Sequence, residues 1–279
     1  MEETLSSAFG PRDPDASKHT VGTVTIVGGS SRFAHAPAIA GLGARAAGAG
    51  LVQLMVPVES RMAAAVLVPE ATLADLMPGT ETPKCDVLAI GMGLGDGEQA
   101  EAMTEAILAG PQTRLVVDAD ALNAIARRYP GGRGFGPFPG KELVFTPHEG
   151  EAARLWGRSR EAVRANRREC AKELARRYGA IVVLKGPGTI VTDGERVYVN
   201  DSGNPFMAMG GMGDLLSGII AARWAYRKGE ALMVASAGVW LHGAAGDELV
   251  RNGSDFSLVT MAAKVGSMRV ALDKGKEST

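Results

Sequence analysis

The sequence is poor in cysteine and in excess charge, and it has no long hydrophobic run. Its two cysteines, Cys85 and Cys170, lie far apart without metal-ligand spacing, which argues against a disulfide framework and fits a reducing compartment. The formal net charge of -1 disfavours a nucleic-acid binder, because such proteins usually carry a basic stripe. No stretch reaches the roughly 18 apolar residues of a membrane span, and residues 1–4 do not begin a secretory signal. We therefore expect a cytoplasmic protein.

Glycine and apolar residues are abundant instead. The 37 glycines and the hydrophobic fraction of 46% predict a large core with many tight turns. No low-complexity linker or internal repeat divides the chain. We predict a flexible leader over residues 1–18, a single domain over 19–273 and a frayed tail over 274–279.

Apolar, β-branched runs alternate with helical patterns along most of the chain. The runs are apolar on both faces, as in a parallel sheet covered by helices, and are predicted as strands at residues 24–27, 51–56, 87–90, 115–117, 143–146 and 181–184. Helical patterns cover residues 36–49, 98–109, 121–128, 150–156, 161–178, 213–226, 231–250 and 256–272. Residues 189–192 and 196–200 predict a hairpin. The alternation predicts an α/β fold with a doubly wound, mostly parallel central sheet.

The glycine-rich stretch of residues 203–218 carries the strongest chemical signal. Gly210, Gly211 and Gly213 stand where an apolar helix begins, and we expect them to take positive φ and to let the backbone approach a ligand. The free N–H groups of a helix start favour a phosphate or a developing negative charge. Two interpretations of Asp214 stay open: a helix cap, or a base at the bottom of a pocket. The apolar run after it favours the pocket, because an unpaired carboxylate is costly to bury.

Glycine and polar residues follow five of the predicted strands, at residues 28–31, 91–97, 118–123, 147–151 and 185–189. The carboxyl ends of parallel strands meet at one edge of the sheet, where ligands bind in such folds, so we expect these residues to lie together. No P-loop motif occurs. The match of Gly41-x-Gly43-x-x-Ala46 to a dinucleotide fingerprint lies inside a helical pattern, and we interpret it as helix packing.

Taken together, these motifs resemble the ADP- or ATP-dependent NAD(P)H-hydrate dehydratases of the ribokinase-like superfamily. The matching stretches follow the family's order at residues 18–22, 24–30, 35–37, 91–95, 117–123, 146–151, 184–189, 204–218 and 241–247. The specific part is the Thr-Pro-His-x-Gly-Glu segment ending at Glu151, combined with the Gly-Gly-x-Gly-Asp segment ending at Asp214. His35, Phe206 and Met209 depart from the family's usual residues at the mouth of the presumed pocket.

The resemblance implies a ribokinase-like three-layer αβα fold and a repair reaction. Enzymes of this family dehydrate (6S)-NAD(P)H hydrate to NAD(P)H at the expense of ADP, giving AMP and phosphate, and some use ATP. The resemblance also implies Mg²⁺ as a cofactor, a separate NAD(P)H-hydrate epimerase as a functional partner, and no nucleic-acid or membrane partner. We further expect a homo-oligomer.

The resemblance also assigns residues to roles. Asp214 is implied as the catalytic base, and Glu151 as an indirect organiser of Mg²⁺. The phosphate or oxyanion site is implied at the amides of Gly211, Met212 and Gly213. The hydrate is implied to bind Ala36, Gly93, Gly95, His148 and Asp214. AMP or ADP is implied to bind Lys185, Gly186, Pro187, Gly188, Thr189 and Gly213.

Structural alternatives remain open for several residues. His148 is alternatively a satisfied structural histidine, and Glu151 a carboxylate that complements a helix start. Asp120 is interpreted as a helix cap and His242 as a packed, hydrogen-bonded core residue.

Two other functions are considered for the whole chain. One is a kinase of the same superfamily that phosphorylates a vitamin alcohol, and the other is a nucleotide-binding regulator without activity. The segment of residues 146–151 favours the dehydratase over the kinase. Asp214 argues against the regulator, because a pure binder gains little from a base.

Overall fold

The computed structural model describes residues 5, 8–77 and 79–274. Within them, nine strands form one sheet: β1 Thr23–Val27, β2 Leu51–Val56, β3 Thr72–Asp75, β4 Val87–Ile90, β5 Arg114–Val117, β6 Glu142–Phe145, β7 Ile181–Leu184, β8 Ile190–Thr192 and β9 Val197–Val199. Their order is β3-β2-β1-β4-β5-β6-β7-β8-β9. The seven strands from β3 to β7 pair in parallel, and β8 and β9 add an antiparallel hairpin at one edge.

Helices cover both faces of this sheet. They are α1 Lys18–Val21, α2 Ala36–Ala46, α3 Arg61–Leu67, α4 Glu98–Ala109, α5 Ala119–Arg128, α6 Glu149–Trp156, α7 Arg160–Ala165, α8 Arg167–Tyr178, α9 Met212–Arg227, α10 Ala231–Arg251 and α11 Leu258–Lys274. One apolar cluster joins the sheet to α2, α9, α10 and α11, and a second joins its other face to α4, α5, α6 and α8. The fold is therefore three-layered, as predicted. No helix of the described residues is both long and apolar enough to cross a membrane.

Two glycines let α2 and α9 touch through their backbones. A Cβ on Gly43 would stand 2.2 Å from the carbonyl oxygen of Leu215, and one on Gly218 would stand 1.8 Å from that of Ala40. No other residue fits at either position. The interpretation of Gly41-x-Gly43 as a packing feature is confirmed, and the contact fixes the start of α9 beside the start of α2.

Three elements differ from the prediction for local reasons. The strand β3 and the helix α3 before it were not predicted, because β3 is a partly exposed edge strand without a continuous apolar run. The helix predicted over residues 161–178 is interrupted at Asn166, which has φ -137 and ψ 42. Its side chain donates to the carbonyl oxygen of Ala162, so it ends one helix and begins the next.

Part of the predicted leader is packed on the domain. Ala8 and Phe9 are buried, the Phe9 ring meets Trp240 edge-on at 6.2 Å between centroids, and Arg223 Nη2 donates to the carbonyl oxygen of Ala8 at 2.6 Å. Phe9 gives an otherwise polar stretch an apolar side chain to bury. The single domain over 19–273 stays a prediction, and the tail beyond Lys274 lies outside the described residues.

Candidate functional site

The candidate site lies at the carboxyl ends of the parallel strands, where the loops after β1, β4 and β5 meet. A Cβ on Gly28 would stand 2.3 Å from the carbonyl oxygen of Met92, and one on Gly91 would stand 1.9 Å from that of Asp118. Only glycine allows such backbone contact. Because the strand order reverses between β1 and β4, this edge is the switch point at which open α/β sheets bind ligands.

The structure brings Ala36, Gly93 and Gly95 together at this edge. A Cβ on Gly93 would stand 3.0 Å from that of Ala36, and Gly95 donates its N–H to Asp120 Oδ2 at 2.8 Å. Both glycines have positive φ, 68 and 90. Asp120 therefore fastens the 91–95 loop, while Asp118 is the residue that caps α5. The interpretation of Asp120 as the cap is wrong.

The helix α9 begins without a capping side chain, and its N-cap is Gly211 at φ 87. Of the three glycines expected at positive φ, only Gly211 has it, so this expectation is wrong for Gly210 and Gly213. Gly213 instead lies close to the lysine, since a Cβ there would stand 3.1 Å from Lys185 Nζ and the ammonium would have to move by a few tenths of an ångström. The uncapped N–H groups and the helix dipole make this start a favourable place for an anion.

A buried ion pair lies directly beside this helix start. Lys185 Nζ donates to Asp118 Oδ1 at 2.7 Å, and Ser217 Oγ donates to Asp118 Oδ2 at 2.7 Å. Thr146 Oγ1 lies 3.3 Å from Ser217 Oγ and extends the network to the end of β6. Burial would lower the pKa of Lys185, but the carboxylates of Asp118 and Glu151 raise it instead. The ammonium form of Lys185 is therefore kept at neutral pH.

Asp214 faces this pair from the first turn of α9. Burial and the negative charge of Asp118 raise its pKa to about 7, and the Lys185 ammonium opposes the rise. It makes no capping bond, and no group in the described part of the chain donates a hydrogen bond to its carboxylate. A carboxylate whose pKa is raised to about 7, and whose oxygens no described donor engages, is suited to accept a proton.

His148 caps α6 and binds Glu151 in a capping box. Its Nδ1 accepts from the N–H groups of Gly150 and Glu151 at 2.8 and 3.3 Å, so its Nε2 carries the hydrogen and lies 3.2 Å from Glu151 Oε1. Burial and the nearby Lys185 charge lower the pKa of His148, which keeps it neutral. Both ring nitrogens of His148 thus make the local contacts that the structural alternative expects. The side chain remains 51% exposed and offers its ring to a ligand.

Glu151 is almost completely buried, and both of its oxygens bond to His148, Oε2 through the backbone N–H at 2.8 Å. Burial raises its pKa to about 7, and the Lys185 ammonium opposes that rise. Among the described residues, no three metal-ligating side chains stand together. The donor set therefore fits Mg²⁺ only as an ion held mainly by phosphate oxygens and water.

The segment of residues 185–189 forms an open loop after β7. Thr189 Oγ1 donates to the carbonyl oxygen of Gly186, while Pro187 and Gly188 are exposed. Arg167 braces the loop from α8, since Nη2 donates to the carbonyl oxygens of residues 184 and 185 and Nη1 to Glu149 Oε1. The loop thus leads from the Lys185 side chain to an exposed surface at residues 186–188.

Sequence reasoning missed part of this site. The sequence assigns no role to Asp118, Ser217, Thr146 or Arg167. A hydroxyl or a charged group next to a strand end or inside an apolar helix is the sequence feature that could have indicated them. The interpretation of His242 as hydrogen-bonded is wrong. It is buried, but its Nε2 has no partner among the described residues, and burial lowers its pKa to about 4.

A family model described as NAD(P)H-hydrate dehydratase matches residues 24–265. A bifunctional NAD(P)H-hydrate repair enzyme from Moorella thermoacetica is 39% identical over 265 residues, covering 86% of this chain and 47% of the relative. An ADP-dependent (S)-NAD(P)H-hydrate dehydratase from Neisseria meningitidis is 36% identical over 245 residues, covering 86% of this chain and 81% of the relative. The chain thus spans about half the length of the bifunctional relative.

The fold has a close counterpart among solved structures. The ADP/ATP-dependent NAD(P)H-hydrate dehydratase from Bacillus subtilis, co-crystallised with ATP and Mg²⁺, aligns with a TM-score of 0.86 and 24% identity, covering 98% of both chains. This similarity concerns the fold, and it confirms the predicted ribokinase-like αβα architecture.

Proposed function

The chain belongs to the NAD(P)H-hydrate dehydratase family, and from that premise we propose that it dehydrates (6S)-NAD(P)H hydrate to NAD(P)H, with ADP converted to AMP and phosphate. One observation carries the proposal. Asp214, whose carboxylate has no hydrogen-bond donor among the described residues and whose pKa burial raises to about 7, lies at a helix start without a capping side chain, beside the Lys185 ammonium. That arrangement combines a base with an anion site, which a transfer from a hydroxyl to a phosphate requires.

In the proposed mechanism, Asp214 accepts the proton of the C6 hydroxyl of the hydrated ring. The hydroxyl oxygen attacks the terminal phosphorus of ADP, and the bond from that phosphorus to the oxygen of AMP breaks. The amides of Gly211, Met212 and Gly213 and the Lys185 ammonium stabilise the charge on the moving phosphoryl group. Phosphate then leaves C6, driven by the lone pair of the ring nitrogen, and loss of a proton from C5 restores the double bond.

The substrates are proposed to divide the site between them. The hydrate lies against Ala36, Gly93, Gly95 and His148, at the start of α2 and the 91–95 loop. The nucleotide lies on Gly213 and on the loop of residues 185–189. Arg167 holds the start of that loop through hydrogen bonds to the carbonyl oxygens of residues 184 and 185. Glu151 would hold Mg²⁺ indirectly, through water, and the ion would neutralise phosphate charge.

A separate NAD(P)H-hydrate epimerase is the proposed functional partner. The relatives named bifunctional repair enzymes are about twice as long as the stretch they share with this chain, which supports a second activity on the same class of hydrate. A homo-oligomer in the cytoplasm remains the proposed state of the chain.

The proposal is tested by mixing the protein with purified hydrate, Mg²⁺ and ADP or ATP and following the absorbance of reduced nicotinamide. Recovery of that absorbance, with AMP and phosphate formed in equal amounts when ADP is used, is the expected result. The matched control is the Asp214→Asn variant under the same conditions. Phosphorylation of a thiazole or pyrimidine alcohol without recovery from the hydrate would replace the dehydratase with the kinase.

A further inference from the structure

The Asp118 carboxylate is the most completely bonded group at the site, although it has no assigned role. It is 1% exposed, and its Oδ1 accepts from Lys185 Nζ at 2.7 Å and from the N–H of Ala119 at 2.8 Å. Its Oδ2 accepts from Ser217 Oγ at 2.7 Å. With both oxygens engaged from three directions, Asp118 has no oxygen left for a substrate. Whatever it contributes must act through its partners.

The partner that matters is Lys185. Its ammonium has three N–H donors, and among the described residues only Asp118 accepts from it. The side chain is 17% exposed, so the remaining donors are not lost in bulk solvent. Because a Cβ on Gly213 would stand 3.1 Å from Nζ, the ammonium lies against the first turn of α9, beside the uncapped N–H groups.

We propose that Asp118 is a positioning residue, and that it and Ser217 hold the Lys185 ammonium at the start of α9, where Lys185 binds the terminal phosphoryl group of the nucleotide. This rests on the proposed function and deepens it. The resemblance assigns Lys185 to the AMP portion, whereas the geometry places its charge at the helix start, where the transferred group must lie. A flexible lysine without Asp118 would lose this alignment, because its long side chain has many rotamers.

Nucleotide binding without the hydrate separates these roles. If Lys185 contacts the terminal phosphate, Lys185→Met lowers the affinity for ADP by about 10–100-fold, the size of one charged hydrogen bond, and leaves the affinity for AMP nearly unchanged. Asp118→Asn is expected to lower the same ADP-to-AMP ratio to a smaller extent, and Ser217→Ala less again. Glu173→Gln, which removes an ion-paired carboxylate on α8, serves as the control and keeps the ratio.

Equal losses of ADP and AMP affinity in Lys185→Met would overturn the proposal and return Lys185 to the AMP portion. If Asp118→Asn fails to fold, the ADP-to-AMP affinity ratios of Ser217→Ala and Lys185→Met test the proposal instead. Because these titrations need no hydrate, a protein without dehydratase activity would refute the proposed function and leave this measurement intact.

The pH profile supplies a readout that a structural role would not move. The charged groups acting on Asp214 are Asp118, Lys185, Glu151 and Asp120. Since the base must be deprotonated, kcat/KM rises with pH through the pKa of Asp214. Asp118→Asn removes a negative neighbour and shifts this limb to lower pH, while Lys185→Met removes a positive one and shifts it to higher pH. Shifts in the same direction would contradict the pairing.

Discussion

The helix α9 carries a buried charge network at each end, and the two differ in what they leave open. At the far end, Arg223 is fully buried and binds both oxygens of Asp273 at 3.0 and 3.1 Å. Its Nη2 also donates to the carbonyl oxygen of Ala8 at 2.6 Å. At the near end, the Asp118–Lys185 pair stands beside Asp214, whose carboxylate accepts no hydrogen bond from the described residues.

This contrast separates a structural ion pair from a functional one within a single element. The far-end pair uses its charges to join α9, α11 and the segment at Ala8. The near end leaves an unpaired carboxylate and uncapped N–H groups, and an unpaired buried polar group costs about 1–3 kcal/mol. The far end leaves only single N–H groups without a partner among the described residues, such as Arg223 Nε, and its charges neutralise each other. At the near end we expect a ligand to complete the open carboxylate and N–H groups.

The largest expected effect comes from removing the charge of the open carboxylate. Asp214→Asn keeps the volume but removes the proton acceptor, so we expect turnover to fall by about 10²–10⁴-fold with little change in Tm. Steady-state kinetics on the hydrate and a thermal melt measure the two effects. A rate close to that of the wild type would show that the near end is structural too.

The next effect should appear in stability alone. Arg223→Met leaves Asp273 buried without its main partner, and breaking a buried pair costs about 3–5 kcal/mol. Urea unfolding is expected to show this loss, while kcat per folded molecule stays unchanged at low temperature. If Arg223→Met lowered kcat as much as Asp214→Asn does, the two ends of α9 would not have separate roles.

A smaller effect is expected from crowding the near end. Gly213→Val adds a branched side chain whose Cβ stands 3.1 Å from Lys185 Nζ. Because it displaces the ammonium and crowds the helix start, we expect the affinity for ADP to fall roughly tenfold, the size of one hydrogen bond. Calorimetric titration with ADP measures it. Gly266→Val is the matched control, because the nearest atom to an added Cβ in that helix is 3.7 Å away. Unchanged affinity in folded Gly213→Val would move the phosphate away from α9.

The smallest expected effect concerns the length of the nucleotide. We expect kcat/KM to be higher for ADP than for ATP, since with the adenosine end on residues 186–189 a third phosphate would carry the terminal phosphorus past the hydroxyl held by Asp214. Both nucleotides are compared on the same hydrate at saturating Mg²⁺. A clear preference for ATP would contradict this prediction and would not affect the proposed dehydratase function.

The periodic parts of the chain could be predicted from sequence, and the coupling between distant segments could not. The buried strands and the helix start at Gly211 follow from apolar runs and glycine spacing, which are local. The Asp118–Lys185 pair joins residues 67 positions apart, and Ser217 reaches Asp118 across 99. Nothing local distinguishes Asp118, which follows β5 and caps α5, from Asp120, which fastens the 91–95 loop. Only the packing of α9 on the sheet decides which carboxylate meets the lysine.

The contact between Phe9 and Trp240 gives the molecule an intrinsic fluorescent probe. Trp224 and Trp156 are buried in the domain, whereas Trp240 is only partly buried and has the Phe9 ring against its own. If the segment at residues 8–10 leaves the surface, Trp240 alone gains water, and its emission moves to longer wavelength. The other two indoles change only when the domain unfolds. Emission spectra recorded along a denaturant series can therefore distinguish undocking of this segment from loss of the whole fold.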